Sequence, residues 1–332
     1  HWLYKQAYLS PNHPAIELEN GDMISFRQLH NASERFARKL AQMGIKKDDH
    51  VGILSTNQVP MIVAIHALSY VGAVSVLLNI RLTKDELDYQ IKDGEITAIL
   101  VSDDLEDHAK AMNFYVETKT FSDITALHEK PIELRTEVSL NDRFSIMYTS
   151  GTTGHPKGVI HTYGNHWWSA MGSALNLGLS QSDKWLSVLP MFHIGGLSIY
   201  IRSAIYGMPV YLIEKFSEAA FQRAVMEKGV TIASVVTVMV QRLIDYLENG
   251  KYPSTFRCAL LGGGPAPKSL LEKAKEKNIP VFQSYGMTET SSQIVTLSPD
   301  DALHQLGSSG KPLFPARLKI QHPADDGIGE IY

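Results

Sequence analysis

Tyr148-Thr-Ser-Gly-Thr-Thr-Gly-His-Pro-Lys-Gly158 decides more about this chain than any other stretch. It follows an apolar run, residues 144–147, that reads as a short buried strand, so the loop leaves the end of a sheet. Its three glycines let backbone N–H groups converge on an anion. Thr149, Ser150, Thr152 and Thr153 add hydroxyl donors, and Lys157 supplies a positive charge for phosphate oxygens. Chemistry on a nucleotide polyphosphate is the expectation. The loop is not a Walker A motif, which needs Gly where Pro156 stands and Ser or Thr where Gly158 stands. Residues 262–269, Gly-Gly-Gly-Pro-Ala-Pro-Lys-Ser, miss that pattern at Pro267, which also breaks a dinucleotide fingerprint.

Outward from this loop, short β-branched apolar runs punctuate the chain at 51–55, 73–78, 98–102, 144–149, 185–189, 210–213, 232–236, 258–261 and 281–284. Amphipathic stretches at helical period separate many of them. The clearest is 26–43, with Leu29, Ala32, Phe36, Leu40 and Met43 along one face and Ser25 as its cap. Others run over 60–70, 84–91, 164–175, 217–227, 238–248 and 267–277. This βαβα alternation predicts an α/β fold, mostly parallel sheets flanked by helices. Residues 103–141 are the most polar and least periodic, and read either as a crossing between two α/β subdomains, 1–140 and 141–332, the second carrying the loop motifs, or as a surface excursion within one domain.

At 332 residues, 44% apolar and net charge −4, the chain has the make-up of a soluble globular protein of about two domains, or one large one with an extension. It has no basic run for nucleic acid and no apolar run of about 18 residues for a membrane span. The single Cys258 excludes an internal disulfide framework, fits a reducing cytoplasm, and sits in an apolar run as core packing. The thirteen histidines lack metal-ligand spacings; His161 and His166 lie five apart with no acidic or cysteine pair beside them. Position 1 is not methionine and no signal-peptide core follows, so leading residues are expected to be missing. A homodimer is the default guess for assembly.

Ligands of open parallel sheets gather beyond the carboxyl ends of strands. Four segments follow predicted strands in that way: 149–158, 190–196 (Pro-Met-Phe-His-Ile-Gly-Gly), 262–267 and 284–290 (Ser-Tyr-Gly-Met-Thr-Glu-Thr). They are expected to meet at one sheet edge as one composite pocket. Gly262, Gly263 and Gly264 allow backbone to approach a flat base, with Tyr285 stacking on its face; a structural turn is the alternative. Glu289 beside two threonines could hold Mg²⁺ together with phosphate oxygens. His193 sits among apolar neighbours and glycines, where a satisfied core histidine is the alternative. Trp167 and Trp168 read as packing or a pocket wall.

These four motifs, in this order, resemble the adenylate-forming superfamily of acyl-CoA synthetases, firefly-type luciferases and peptide-synthetase adenylation domains. Residues 164–169, 173–178, 282–290 and 293–299 are similar to the o-succinylbenzoate–CoA ligase branch of menaquinone biosynthesis; Gly195 departs from it, where members carry Ser. The resemblance implies adenylation of the acid by ATP with release of pyrophosphate, then transfer of the acyl group to coenzyme A. It implies that Thr149, Ser150, Gly151, Thr152, Thr153, Gly154 and Lys157 hold the phosphates, and that Gly262, Gly263, Gly264, Pro265, Tyr285 and Gly286 form the adenine slot. Thr288 would touch the α-phosphate and Glu289 would bind Mg²⁺. His193 would line the path between acyl pocket and thiol, with Gly263 and Ser284 beside the substrate. The implied small-molecule acid is aromatic with two carboxylates, and Arg202 is the expected holding cation, against a surface arginine.

The chain stops at Gly329-Glu-Ile-Tyr332, where this family continues into a hinge and a small C-terminal lid domain, which is expected to be absent here. A peptide-synthetase reading would need an Asp close after Phe192, and none is present. Another aryl- or fatty-acyl-CoA ligase and a non-catalytic nucleotide-binding fragment are the remaining alternatives.

Overall fold

The apolar runs become strands because most are buried on both faces, which suits parallel sheets covered by helices. In the computed structural model, which describes residues 1–149 and 154–332, Val74–Leu78 is buried at all five positions. Helices cover such strands and are started by local chemistry. Ser25 accepts from the Gln28 N–H while the Gln28 side chain accepts from the Ser25 N–H, a capping box that opens helix Phe26–Gln42.

Two sheets result. One has six strands in the order Glu117–Thr120, Ile96–Val101, His50–Leu54, Val74–Leu78, Arg143–Thr149 and Lys157–Thr162, parallel except for the last pair. The other has nine: Lys311–Pro312, Ser292–Leu297, Val281–Met287, Cys258–Gly262, Ile232–Val236, Trp185–Ser187, Val210–Leu212, Pro14–Leu18 and Met23–Ser25. It is parallel from Val281–Met287 through Pro14–Leu18 and antiparallel at both ends. A two-stranded ribbon, Ile320–Gln321 with Glu330–Ile331, stands apart.

All nine predicted strands and all seven predicted helices are present, with ends moved by a few residues. The differences lie at edges. The sheets do not divide at residue 140: Pro14–Leu18 pairs with Val210–Leu212, and Arg143–Thr149 pairs with Val74–Leu78. The stretch read as a polar crossing holds strand Glu117–Thr120 and helices Glu106–Met112 and Phe121–Ala126. That strand is mostly exposed, and an edge strand needs no apolar run to announce it. Strand Lys157–Thr162 escapes notice for the same reason; it runs antiparallel to Arg143–Thr149, with Tyr148 opposite Gly158 and Thr149 opposite Lys157. The four motif segments therefore leave two different sheets, not one edge.

Cys258 is fully buried and its thiol is pushed up to about 12 by desolvation, as core packing requires. Among the described residues, no helix is long and apolar enough to cross a membrane.

Candidate functional site

Parallel strands Ile232–Val236, Cys258–Gly262 and Val281–Met287 end level with one another, Val236 opposite Gly262 and Leu261 opposite Gln283. Beyond them opens a cavity of about 450 Å³. His193, Gly195, Gly262, Gly263, Ser284 and Gly286 line it, with Leu189, Val235, Val236, Met239 and Leu260 as an apolar wall. Three of the four motif segments thus meet. Arg81, three residues past the end of Val74–Leu78, brings the carboxyl edge of the six-stranded sheet to the same cavity. Ser284 Oγ donates to the Leu261 carbonyl at 2.9 Å and ties two strand ends together. Gly263 takes a positive φ of 82°, which a side chain would strain. At Gly286 a Cβ would lie 2.1 Å from the Ser292 carbonyl oxygen across the antiparallel pair, so glycine alone fits. Tyr285 is half-buried between them, and Gly264 and Pro265 stand exposed on the turn.

His193 is the N-terminal cap of helix Ile194–Tyr206 and meets the Phe192 ring edge-on at 4.7 Å. Desolvation, then the Arg81 guanidinium, hold its pKa below the ordinary histidine range, which favours neutral imidazole. Its loop is fastened from the other sheet by Asn57. The Asn57 Nδ2 donates to the Leu189 carbonyl and its Oδ1 accepts from the Met191 N–H, each at 2.9 Å.

Thr288 and Glu289 lie in a single 3₁₀ turn, Thr288–Thr290, directly after strand Val281–Met287. Ser291 N–H donates back to the Thr288 carbonyl at 3.0 Å. His161 Nε2 reaches the same carbonyl at 2.6 Å, and Ser169 Oγ donates to the Ser291 carbonyl at 2.6 Å. Burial depresses the pKa of both His161 and its neighbour His166. Glu289 is exposed and borders a second cavity of about 340 Å³ with Trp168, Ser169 and Thr290. Among the described residues no three potential metal ligands cluster. A lone exposed carboxylate suits Mg²⁺, which keeps waters and substrate phosphate oxygens as its other ligands.

On the hairpin, Thr149 and Lys157 stand opposite each other across the antiparallel pair, and Gly154 and Lys157 are exposed. Ser150, Gly151, Thr152 and Thr153 lie outside the described residues. Helix Lys84–Asp93 braces the stem: Tyr148 Oη donates to Asp93 Oδ2 at 2.7 Å, and Tyr89 Oη donates to the Pro156 carbonyl at 3.2 Å.

Arg202 is neither a surface arginine nor a lining residue of the larger cavity. It is 2% exposed, its guanidinium lies over the Trp185 ring at 5.3 Å, its Nη2 faces Ser169 Oγ at 3.5 Å, and among the described residues its Nε has no partner. Among the described residues no Asp or Glu pairs with it, and burial pulls its pKa down. Cys258 lies within electrostatic range of it, and Leu260, two residues on along the same strand face, lines the cavity. Trp185 Nε1 donates at 3.0 Å to Ser234 Oγ, another lining residue. Arg202 therefore sits one side chain below the cavity floor.

Sequence reasoning missed Asn57, Arg81, His161 and Ser169 as site residues. Arg81 carried a usable signal, because it follows a predicted strand end just as the motif loops do. The other three carried none, since their partners are more than 100 residues away.

A family model described as AMP-binding enzyme matches residues 3–332. A 2-succinylbenzoate–CoA ligase from Oceanobacillus iheyensis is 55% identical over the whole chain, covering 69% of that relative. The Bacillus subtilis o-succinylbenzoate CoA synthetase, solved with the acyl-adenylate intermediate, superposes with TM-score 0.93 at 41% identity, over 99% of this chain and 68% of that one. The same enzyme solved with ATP and magnesium ion gives 0.91, 41%, 99% and 69%. The chain spans about two thirds of the length of the relatives it matches. With its glycine-walled cavity at three strand ends and its ordered motifs, the chain belongs to the AMP-binding enzyme family of adenylate-forming ligases.

Proposed function

We propose that this chain is the nucleotide- and acid-binding part of an ATP-dependent 2-succinylbenzoate–CoA ligase of menaquinone biosynthesis. The observation that carries the substrate is Arg202, a buried cation with no carboxylate partner among the described residues, one side chain beneath an apolar cavity. An unpaired buried charge is costly unless a ligand completes it. A succinylbenzoate ring would fill the apolar part, and one carboxylate would settle towards Arg202, leaving the other at the mouth.

In the first step an oxygen of that free carboxylate bonds to the α-phosphorus of ATP, the bond to the β-phosphate bridge breaks, and pyrophosphate leaves. The Thr288 hydroxyl donates to the α-phosphate, and Lys157 with the hydroxyl residues Thr149, Ser150, Thr152 and Thr153 holds the outer phosphates. Tyr285, with the glycines at 262–264 and 286, holds the adenine. Mg²⁺, held by Glu289 and phosphate oxygens, would neutralise charge on the phosphates. In the second step the coenzyme A thiol bonds to the acyl carbonyl carbon and AMP leaves with the electron pair. His193, its pKa lowered by partial desolvation and by Arg81, lines that path and can accept the thiol hydrogen. A cytoplasmic setting fits the one buried thiol, and a homodimer is the default assembly.

Calorimetric titration with non-hydrolysable adenylate mimics tests this reading. The o-succinylbenzoyl mimic is expected to bind at least about tenfold tighter than benzoyl, long-chain acyl or aminoacyl mimics, a preference of the size one desolvated charge pair gives. Equal binding of all four removes the substrate assignment and leaves the nucleotide site; no binding removes both.

A further inference from the structure

The phosphate-binding hairpin belongs to the six-stranded sheet, whereas the Thr288–Thr290 turn belongs to the nine-stranded one. In-line attack at the α-phosphorus needs these two parts held in one relative position. Among the described residues, the His161 side chain joins them directly. His161, on the same strand as Lys157 and four residues further on, shares its face of that strand. It is 1% exposed, and its Nε2 lies 2.6 Å from the Thr288 carbonyl.

We infer that His161 is a positioning residue for the α-phosphate turn, acting through a directional chain of three hydrogen bonds. A carbonyl only accepts, so His161 Nε2 carries the hydrogen and Nδ1 is bare. Ser145 Oγ stands 3.4 Å from that Nδ1 and 3.3 Å from His166 Nε2. With neutral rings only one order satisfies every atom: His166 Nε2–H donates to Ser145 Oγ, Ser145 O–H to His161 Nδ1, and His161 Nε2–H to Thr288. The chain begins in helix Tyr163–Leu177, passes through strands Arg143–Thr149 and Lys157–Thr162, and ends on the catalytic turn.

The consequence at the turn is geometric. The peptide between Thr288 and Glu289 is planar, so holding the Thr288 carbonyl towards His161 directs the Glu289 N–H to the opposite side. Ser291 N–H and the Ser169 hydroxyl complete the anchorage from the turn's other end. His161 thereby sets where Thr288 and Glu289 stand relative to Lys157.

This inference rests on the nucleotide reading above, and its test separates the two. Affinities of the chain for AMP and for adenosine are compared by calorimetry at low temperature for wild type, His161→Gln and His161→Asn, each confirmed folded by circular dichroism. The AMP-to-adenosine ratio isolates the α-phosphate contribution, which a general loosening of the fold would not move selectively. A glutamine amide can still reach the Thr288 carbonyl, whereas asparagine stops one bond short. The ratio is expected to stay within about twofold of wild type in His161→Gln and to fall about five- to tenfold in His161→Asn, the size of one lost hydrogen bond. An unchanged ratio in His161→Asn, or an equal loss in both variants, overturns the inference. Should His161→Asn melt below the assay temperature, Ser145→Ala replaces it: a loss of about threefold supports the chain, and no loss overturns it. A wild-type chain that does not prefer AMP removes the nucleotide reading and this inference together.

Discussion

Asn57 offers the sharpest test of how the two sheets build one site. Its amide is 7% exposed and spans the Leu189 carbonyl and the Met191 N–H, holding the loop that presents His193. Asn57→Ala removes both bonds and strands two backbone groups, each costing about 1–3 kcal/mol when buried. With partial rescue by water, a loss of about 3 kcal/mol is expected. Unfolding entropy of about 2.1 cal/mol/K per residue, scaled to 332 residues, is about 0.7 kcal/mol/K, so the melting temperature should fall by about 4 °C. Asn57→Asp adds a pH signature. The new carboxylate would still accept from Met191 but would face the Leu189 carbonyl, so its folded-state pKa rises above the unfolded value of about 3.9. The folded state then binds more protons, so this variant loses stability relative to wild type as pH rises above about 4 and regains it on acidification. Scanning calorimetry from pH 4.5 to 8, with titration of the o-succinylbenzoyl adenylate mimic, reads both effects. If Asn57→Ala melts within about 1 °C of wild type and binds the mimic equally well, the bridging role is wrong.

Arg202→Met replaces a buried cation, which has no carboxylate partner among the described residues, by a shorter apolar chain. The melting temperature should hold or rise, while the preference for the o-succinylbenzoyl over the benzoyl mimic collapses from about tenfold to near unity. Retained selectivity with a lower melting temperature would refute both halves. His66 is buried and its pKa is pushed down to about 4 by desolvation, so the unfolded chain binds its proton first on acidification. Its contribution is whole above the unfolded pKa of about 6.5 and is lost as pH falls towards 4, a loss of about 3 kcal/mol at about 1.36 kcal/mol per pH unit. His66→Leu should therefore show a smaller fall in melting temperature between pH 7 and 4.5, and an unaltered fall would count against it. Glu289→Gln should weaken ATP binding in the presence of Mg²⁺ about tenfold and leave metal-free AMP binding within about twofold, since one carboxylate ligand is lost and the base slot is untouched. Equal losses for both nucleotides would place Glu289 outside the metal site.

The nine strands and seven helices were legible because each is decided within its own residues. Val74–Leu78 must be apolar throughout to be buried on both faces, and Phe26–Gln42 carries its own capping box. Glycine and hydroxyl residues were legible in the motif loops because anion binding by backbone needs them wherever it occurs. Tertiary structure alone decided the rest. Edge strand Lys157–Thr162 is half polar and gains its identity only by pairing with Arg143–Thr149. Arg202 reads in the sequence as a holding cation or a surface arginine, and only the packing of Trp185 over it decides that it is a buried cation. Asn57 and His161 are polar residues like many others, whose partners lie 132 and 127 residues away. Local propensity acts over a few residues, while a hydrogen bond between two sheets exists only once long-range packing has brought them together.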